Sequence, residues 1–464
     1  MVTNNSPAYK LYYFPSRNLG EVIRMLFHYA NVPFEDVRIL PHDWPRYKPQ
    51  MPNGKMPVLE VDGKKISESY AITRFLARRF GLAGGTQWEQ ARADEIADFH
   101  KDVVREFKPY VDTLAGLEKG NKDQLHRDLF EPSVKKFFPI YENLLQDGKT
   151  GFLAGTPKPT FVDFLVSDWL HTVRGFVPDV IKSYPALGKF IDKVFSLPRL
   201  RKYIRDRPYV FACVAVEQNI PQVWQRNVLV LYFNWPNFRK NSFRTFRFTT
   251  MVQYKMTYFH ANGVPLRALC EPVRLLMHYI EQDYEMTLIG FPDEWLNEYQ
   301  KKQPFQKLPV FEIGGEKLCQ SYAFSRFMAE KFGLAGKDEW EKAKINEIAD
   351  FARDVWYELA PWLYVVADIR PGDKAEVKKN HFDPAVERIF GKFASVLKQT
   401  GTGFMVTKGP SWADFFIADY LYTVSLHEPK VINEKYPELG KYIERVYSLP
   451  QVKDYVKSRP LINF

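Results

Sequence analysis

Residues Gly54–Gly84, GKMPVLEVDGKKISESYAITRFLARRFGLAG, decide the fold, and the same text returns as Gln306–Gly336, QKLPVFEIGGEKLCQSYAFSRFMAEKFGLAG. The aliphatic run Val58, Leu59, Val61 is cut by Asp62-Gly63, the chemistry of a two-residue hairpin turn. A second short strand ends at Ile66. After Ser67-Glu68-Ser69, apolar residues at Ala71, Ile72, Phe75 and Leu76 take up helical spacing. A hairpin therefore feeds a helix N-terminus, where bare amides and the positive end of the dipole suit a carboxylate or phosphate. Ser69 either caps that helix or faces a ligand.

Outward from this stretch, Tyr9–Phe14 reads as a first strand and Arg17–Ala30 as a helix with Val22, Ile23, Leu26 and Phe27 on one face. A short strand is predicted near Phe34–Leu40, and from Trp88 onward the pattern is wholly helical. Thr160-Phe161-Val162-Asp163 is a capping box with Asp in place of Glu. The order then repeats: Tyr254–Phe259 matches the first strand, Ser411-Trp412-Ala413-Asp414 the capping segment, and Arg459-Pro460 the pair Arg207-Pro208. Two copies of one unit of roughly 200 residues fit the 464-residue chain better than unrelated domains. The expected divisions are 1–84 and 85–208, a connector 209–253, then 254–336 and 337–464.

The connector is neither Gly/Ser-rich nor Pro-rich, so it is no ordinary flexible linker. It holds the β-prone run Val228–Phe233 and interleaved basic and aromatic residues over Arg239–Phe248. Met251-Val252-Gln253-Tyr254 reads like a fresh translation start, as though two adjacent coding units had been joined; the rival reading is a segment that touches membrane or RNA. As coil its 45 residues span about 35–40 Å, enough for the two copies to pair within one chain.

Composition narrows the function. Apolar residues make up 45% of the chain and aromatics 16%, which supports packed cores. Cys213, Cys270 and Cys319 are too scattered for a disulfide framework or a zinc site. No apolar run reaches membrane-spanning length and no signal-peptide pattern opens the sequence, so a cytoplasmic protein is expected. Of the net charge of +10, the connector alone carries five basic residues against one acid, so nucleic-acid binding is not the expectation.

The motifs YKLYYF, EVIR, MPVLEVDG, SESYAI, RFLARRFGLAG and TFVDF together resemble a cytosolic glutathione transferase, with the sigma class (invertebrate transferases and prostaglandin D synthase) most similar. The resemblance covers about 1–208 and 254–464. It implies an α/β thioredoxin-like domain followed by an all-α domain, duplicated. It also implies conjugation of the glutathione thiolate to apolar electrophiles, with prostaglandin isomerisation or peroxide reduction as further family activities. Glutathione is then a co-substrate and no other cofactor is required. The expected partners are glutathione and a hydrophobic electrophile, and the copies pair as an intramolecular pseudo-dimer or as a homodimer of chains.

Residue by residue, the resemblance makes Tyr13 the catalytic hydrogen-bond donor to sulfur. An ordinary thiol titrates near pH 8.5, and a donor to the thiolate lowers that value. Arg17, Trp44 and Lys48 match positions lining the glycine and cysteine ends of glutathione. Met56-Pro57 matches a cis bond whose backbone pairs with the cysteinyl group. Glu68, where the family commonly has Gln, and Ser69 match the γ-glutamyl subsite, and Asp102 a carboxylate that reaches the partner's glutathione. The second copy carries Tyr258, Arg267, Trp295, Leu308-Pro309, Gln320-Ser321 and Asp354. There the interval from Phe259 to Glu271 is five residues longer than that from Phe14 to Glu21, and the insertion is expected to displace Arg267 or block the pocket. Lys48 aligns ambiguously over Tyr299–Lys302. The region of Phe14 and Val103–Leu117 should shape the second-substrate pocket. Two rivals stay open: a non-catalytic, crystallin-like or ligand-sequestering relative, above all in the second copy, and a thiol–disulfide oxidoreductase, for which no cysteine stands at the first helix start of copy one.

Overall fold

The computed structural model describes residues 7–208, 254–261 and 263–460. The connector, with Cys213 and the Met251 start, lies outside the described residues. The first half opens with strand β1 (Tyr9–Tyr13), the helix Asn18–Ala30, and β2 (Glu35–Arg38) parallel to β1. Strands β3 (Val58–Val61) and β4 (Lys64–Ser67) form the predicted hairpin, and β3 lies antiparallel to β1, giving the order β2-β1-β3-β4. The turn works because Asp62 and Gly63 both take positive φ (49° and 80°), the requirement of a type I′ turn. Leu11, Leu59 and Ile66 alternate inward with no exposure, facing Ile23, Leu26 and Phe27 of the first helix.

Helices follow, among them Ser69–Phe80, the long Gln87–Leu114, Glu131–Gly148 and Phe161–Phe176. The last starts on a complete capping box between Thr160 and Asp163, and its counterpart Trp412–His427 repeats it with Ser411 and Asp414. These reciprocal bonds satisfy helix-end amides that would otherwise be buried unpaired.

The second half repeats the plan. Strand β5 (Tyr254–Ala261) pairs with β7 (Tyr284–Gly290), and with β8 (Val310–Ile313), which continues to β9 (Glu316–Cys319). The inserted residues are accommodated in β6 (Val264–Pro265), which folds back on the extended end of β5 through His260–Pro265 and Ala261–Val264 pairs.

The two halves pack against each other about a pseudo-two-fold. Phe75 meets Trp340 and Phe327 meets Trp88, each with ring centroids 6.0 Å apart at 88°. At the centre Arg74 pairs with Asp98 at 2.8 Å and Arg326 reaches the same Asp98 at 2.9 Å, while Asp350 takes Arg326 at 3.3 Å and Arg74 at 3.5 Å. Burial pushes the Asp98 carboxyl up, but Arg326, Arg74 and Arg353 together outweigh it and hold it well below the usual carboxylate range. The packing of Phe305 has no mirror image. Phe305 of the second half enters the first-half core, 4.5 Å from Phe99 by ring centroid and 1% exposed.

Candidate functional site

The site is organised by the junction of hairpin and helix. After β4 ends at Ser67, Glu68 takes φ 66° and ψ 112°, and Ser69 opens the helix; Gln320 repeats this with φ 68° and ψ 110° before Ser321. The N-cap position thus belongs to Glu68, not Ser69, which sets aside the cap as one of the two alternatives for Ser69. A non-glycine residue is held there at positive φ in both copies, at a cost of order 1–3 kcal/mol, because the chain must reverse between sheet edge and helix. The turn is fixed from across the molecule. Ser67 donates its backbone N–H (2.7 Å) and its hydroxyl to Glu347 of the other half, and Glu95 reciprocally accepts the N–H of Cys319. Burial raises the Glu95 carboxyl to about 7, opposed by Arg92 and the Cys319 bonds.

This junction forms the polar end of a cavity of about 500 Å³. Lys55, Met56, Pro57, Glu68 and Ser69 line that end, and the Met56–Pro57 bond is cis, as is Leu308–Pro309. The far wall is apolar, with Val104 and Val111 from the long helix and Leu165 and Trp169 from Phe161–Phe176. His100 also lines it; its Nδ1 lies 2.8 Å from Tyr141 Oη, and burial takes the imidazole down to about 3, so it is neutral. The second half closes the cavity with Asp350, Asp354 and Tyr357. Asp354 lies 2.7 Å from Lys101. Glu68 accepts from Asn53 Nδ2 at 3.2 Å. Burial, and then the charge of Asp354, raise its carboxyl to about 7 against the opposing pull of Lys101 and Lys55.

The first-half residues expected around the thiol end lie outside the lining of this cavity. Tyr13 is 5% exposed, edge-on to Phe14 at 5.8 Å, and packed on Gly20, where an added Cβ would lie 2.8 Å from the ring Cγ. Among the described residues the cavity wall at this helix is formed by Asn18, Leu19 and Val22 rather than by Tyr13. Arg17 is buried, donating to Asp168 and Thr172 at 2.9 Å each; it ties the first loop to the helix Phe161–Phe176, while Asp168 and Thr172 themselves reach the cavity. Trp44 packs edge-on to Phe14 at 5.9 Å, and Lys48 is exposed.

In the second half the insertion does not displace Arg267, contrary to expectation. The β5–β6 hairpin takes up the extra residues, and Arg267 donates to Asp419 (2.5 Å) and Thr423 (3.3 Å), as Arg17 does to their counterparts. Trp295 is buried and edge-on to Phe259 at 5.4 Å. A π-helical turn Trp295–Tyr299 replaces the four-residue turn Trp44–Tyr47, so the residue opening the next short helix, where copy one has Lys48, is Gln300. The Tyr258 hydroxyl accepts the Leu269 N–H at 3.3 Å, and burial raises this phenol well above its ordinary value. Asp102 faces this half, 3.5 Å from Gln320 Nε2.

Glu95, Lys101, Lys307, Glu347 and Tyr357 escaped the sequence reading. The signal was present for the glutamates: Glu95, Asp98 and Asp102 recur as Glu347, Asp350 and Asp354, a spacing that puts three carboxylates on one helix face. Among the described residues, no cluster of three or more His, Cys, Asp or Glu is arranged to hold a metal ion, and no helix is long and apolar enough to cross a membrane.

Comparison with known proteins agrees for both halves. The model of the glutathione S-transferase N-terminal domain matches residues 7–78 and 254–330, and that of the C-terminal domain 105–207 and 353–459. Glutathione S-transferase 1 of Ascaris suum is 40% identical over 202 residues, 44% of this chain and 98% of the relative. Probable glutathione S-transferase 6 of Caenorhabditis elegans is 40% identical over 200 residues, 43% of this chain and 97% of the relative. Among solved structures, a Nu-class GST from Haemonchus contortus is 42% identical, covering 44% of this chain and 99% of that one, with a TM-score of 0.42.

Proposed function

The chain belongs to the glutathione S-transferase family through both of its halves, and on that premise we propose that its first-half cavity binds glutathione and conjugates its thiolate to an apolar electrophile. Glutathione is the co-substrate. The observation that carries the reading is the composition of the cavity: a carboxylate-lined helix start and a cis-proline strand edge at one end, and Val104, Val111, Leu165 and Trp169 at the other. The γ-glutamyl ammonium lies toward Glu68 and Asp354, its carboxylate toward the amides at Ser69, and the cysteinyl backbone pairs with Met56 as an added strand. The sulfur then points along the first helix turn toward the apolar wall that receives the electrophile. Tyr13 takes the role of donor to the thiolate. Lowering a thiol by about two pH units is worth about 2.7 kcal/mol, and holding both reactants in one cavity adds the gain of proximity.

Within the family we assign the chain to the sigma-like group and to the cytoplasm. The pairing of halves is the working pair, with the mass of a single chain, 54.4 kDa. The reading is tested by turnover of a generic aromatic halide with Tyr13→Phe. Loss of one stabilising donor lowers kcat on the order of 10²-fold, while the KM for glutathione changes little. Equal loss in both, or unchanged turnover, would remove Tyr13 from the chemistry.

A further inference from the structure

The halves share one plan, so each element of the first-half site has a counterpart, and the counterparts differ where a ligand's ammonium would sit. The carboxylate delivered to the first-half site is Asp354, with a side chain 40% exposed and Lys101 at 2.7 Å. Its counterpart Asp102, facing the second half, has a side chain only 5% exposed and is held by Lys307 at 2.8 Å and Arg353 at 3.2 Å. Tyr357 donates its hydroxyl to the same carboxylate at 2.8 Å, and Gln320 Nε2 lies 3.5 Å away. A carboxylate offers roughly four acceptor directions. Those of Asp102 are taken by Lys307, Arg353, a phenol and an amide, with Arg105 a third cation at 3.5 Å. The sequence explains the difference: Tyr357 stands where the first half has Arg105, and Arg353 where it has Lys101.

The thiol end diverges too. Tyr13 packs on Gly20, but the corresponding residue of the second half is Cys270, whose side chain occupies the space a Cβ at Gly20 would need. Tyr258 therefore lies beside a cysteine side chain where Tyr13 has a glycine, with its hydroxyl accepting the Leu269 N–H at 3.3 Å.

Resting on the reading of the first-half cavity as a glutathione site, we propose that the chain has one glutathione site, not two: the second half supplies Asp354 to the first-half cavity, while its own ammonium subsite is filled from within by Lys307. A ligand entering the second half would have to displace Lys307, Arg353 or the Tyr357 hydroxyl from a carboxylate only 5% exposed. In the first half it meets Glu68 and Asp354, both lining the cavity, and Asp354 keeps a side chain 40% exposed beside Lys101.

Isothermal titration of the full chain with S-methylglutathione at pH 7.5 tests this, on the wild type and on Asp354→Asn. The expected result is one equivalent bound per chain, with affinity lowered at least tenfold by the substitution. Two equivalents on the wild type would overturn the proposal. One equivalent whose affinity Asp354→Asn leaves within twofold would overturn it as well, because the ligand would then sit in the second half. No binding heat on the wild type would defeat the glutathione reading itself, and the one-site proposal with it. Asp354 is 40% exposed, so its replacement removes no core packing, and the wild-type stoichiometry is decisive without it.

Discussion

Glu68→Gln isolates what a carboxylate does at the γ-glutamyl subsite. In the empty protein burial, reinforced by Asp354, holds the Glu68 carboxyl at about 7, with Lys101 and Lys55 pulling it down and Asp350 adding to the rise. Burial pulls Lys101 down, but Asp354 and Asp350 outweigh it and keep it charged. A ligand ammonium is attracted by the ionised carboxyl and not by the neutral acid. With a value of about 7, about one-tenth of Glu68 is ionised at pH 6 and about three-quarters at pH 7.5. The affinity should therefore rise about eightfold over that interval, about 1.2 kcal/mol. The ligand's own α-amino group, near 8 as an ordinary value, stays mostly protonated throughout. S-methylglutathione keeps sulfur ionisation out of the measurement. In Glu68→Gln the carboxamide oxygen still accepts from an ammonium, so binding persists and its pH dependence falls below twofold. The same substitution should flatten one part of the stability profile. A carboxyl raised on folding binds its proton more tightly in the folded state, so its contribution is favourable at low pH and fades as pH rises from about 4.5 through 7. A wild-type Kd constant within twofold between pH 6 and 7.5, or a Gln variant that keeps the eightfold slope, would refute the reasoning.

Two further predictions concern the pairing of halves. Asp98→Asn leaves Arg74, Arg326 and Arg353 around a neutral amide in a site where Asp98 has no exposure; breaking such a buried ion cluster costs about 3–5 kcal/mol, read as a fall in Tm by calorimetry, and a change under 1 kcal/mol would refute it. Because that carboxyl is held below the usual range, its contribution in the wild type is intact above pH 4 and is lost only as pH falls further. Phe305→Ala removes a fully buried ring from the first-half core and should cost about 3–5 kcal/mol in unfolding free energy, with no change in the pH dependence of ligand binding.

Much of this was legible because it was local. The Asp62-Gly63 turn, both capping boxes and the duplication follow from residue types within a few positions of each other, and the structure reproduces them. Residue type left Ser69 open between cap and ligand contact, and the positive-φ reversal at Glu68, one residue earlier, removes the first of these. The insertion after Phe259 looked disruptive because a sequence gives its length and not its direction; folded into β6 it leaves Arg267 on Asp419. Glu95 on Cys319, Glu347 on Ser67 and Lys307 on Asp102 join residues more than two hundred positions apart. No local period encodes such contacts; the first two mirror each other across the halves, and Lys307 on Asp102 makes the site asymmetric.

That asymmetry has a physical origin in the covalent joining of two copies. In a symmetric dimer every substitution appears on both sides of the axis, so an arginine placed there meets itself. Here Arg105 and Tyr357 hold equivalent positions, and the guanidinium lies 3.2 Å from the centre of the ring, a favourable cation–π pair. Other equivalent positions have diverged within their own halves: Arg74 Nε takes Asp94 at 2.5 Å while Arg326 takes Asn346 at 2.7 Å, and Phe305 has as its counterpart Asn53, which bonds Ser67 and Glu68. The Arg105–Tyr357 pair relieves a constraint that self-pairing would impose. Once the faces no longer need to match themselves, one half can lose a ligand subsite to an internal lysine without disabling the other. Tyr357 links the two outcomes: its ring lines the first-half cavity while its hydroxyl seals Asp102, so the residue that closes one site is part of the wall of the other.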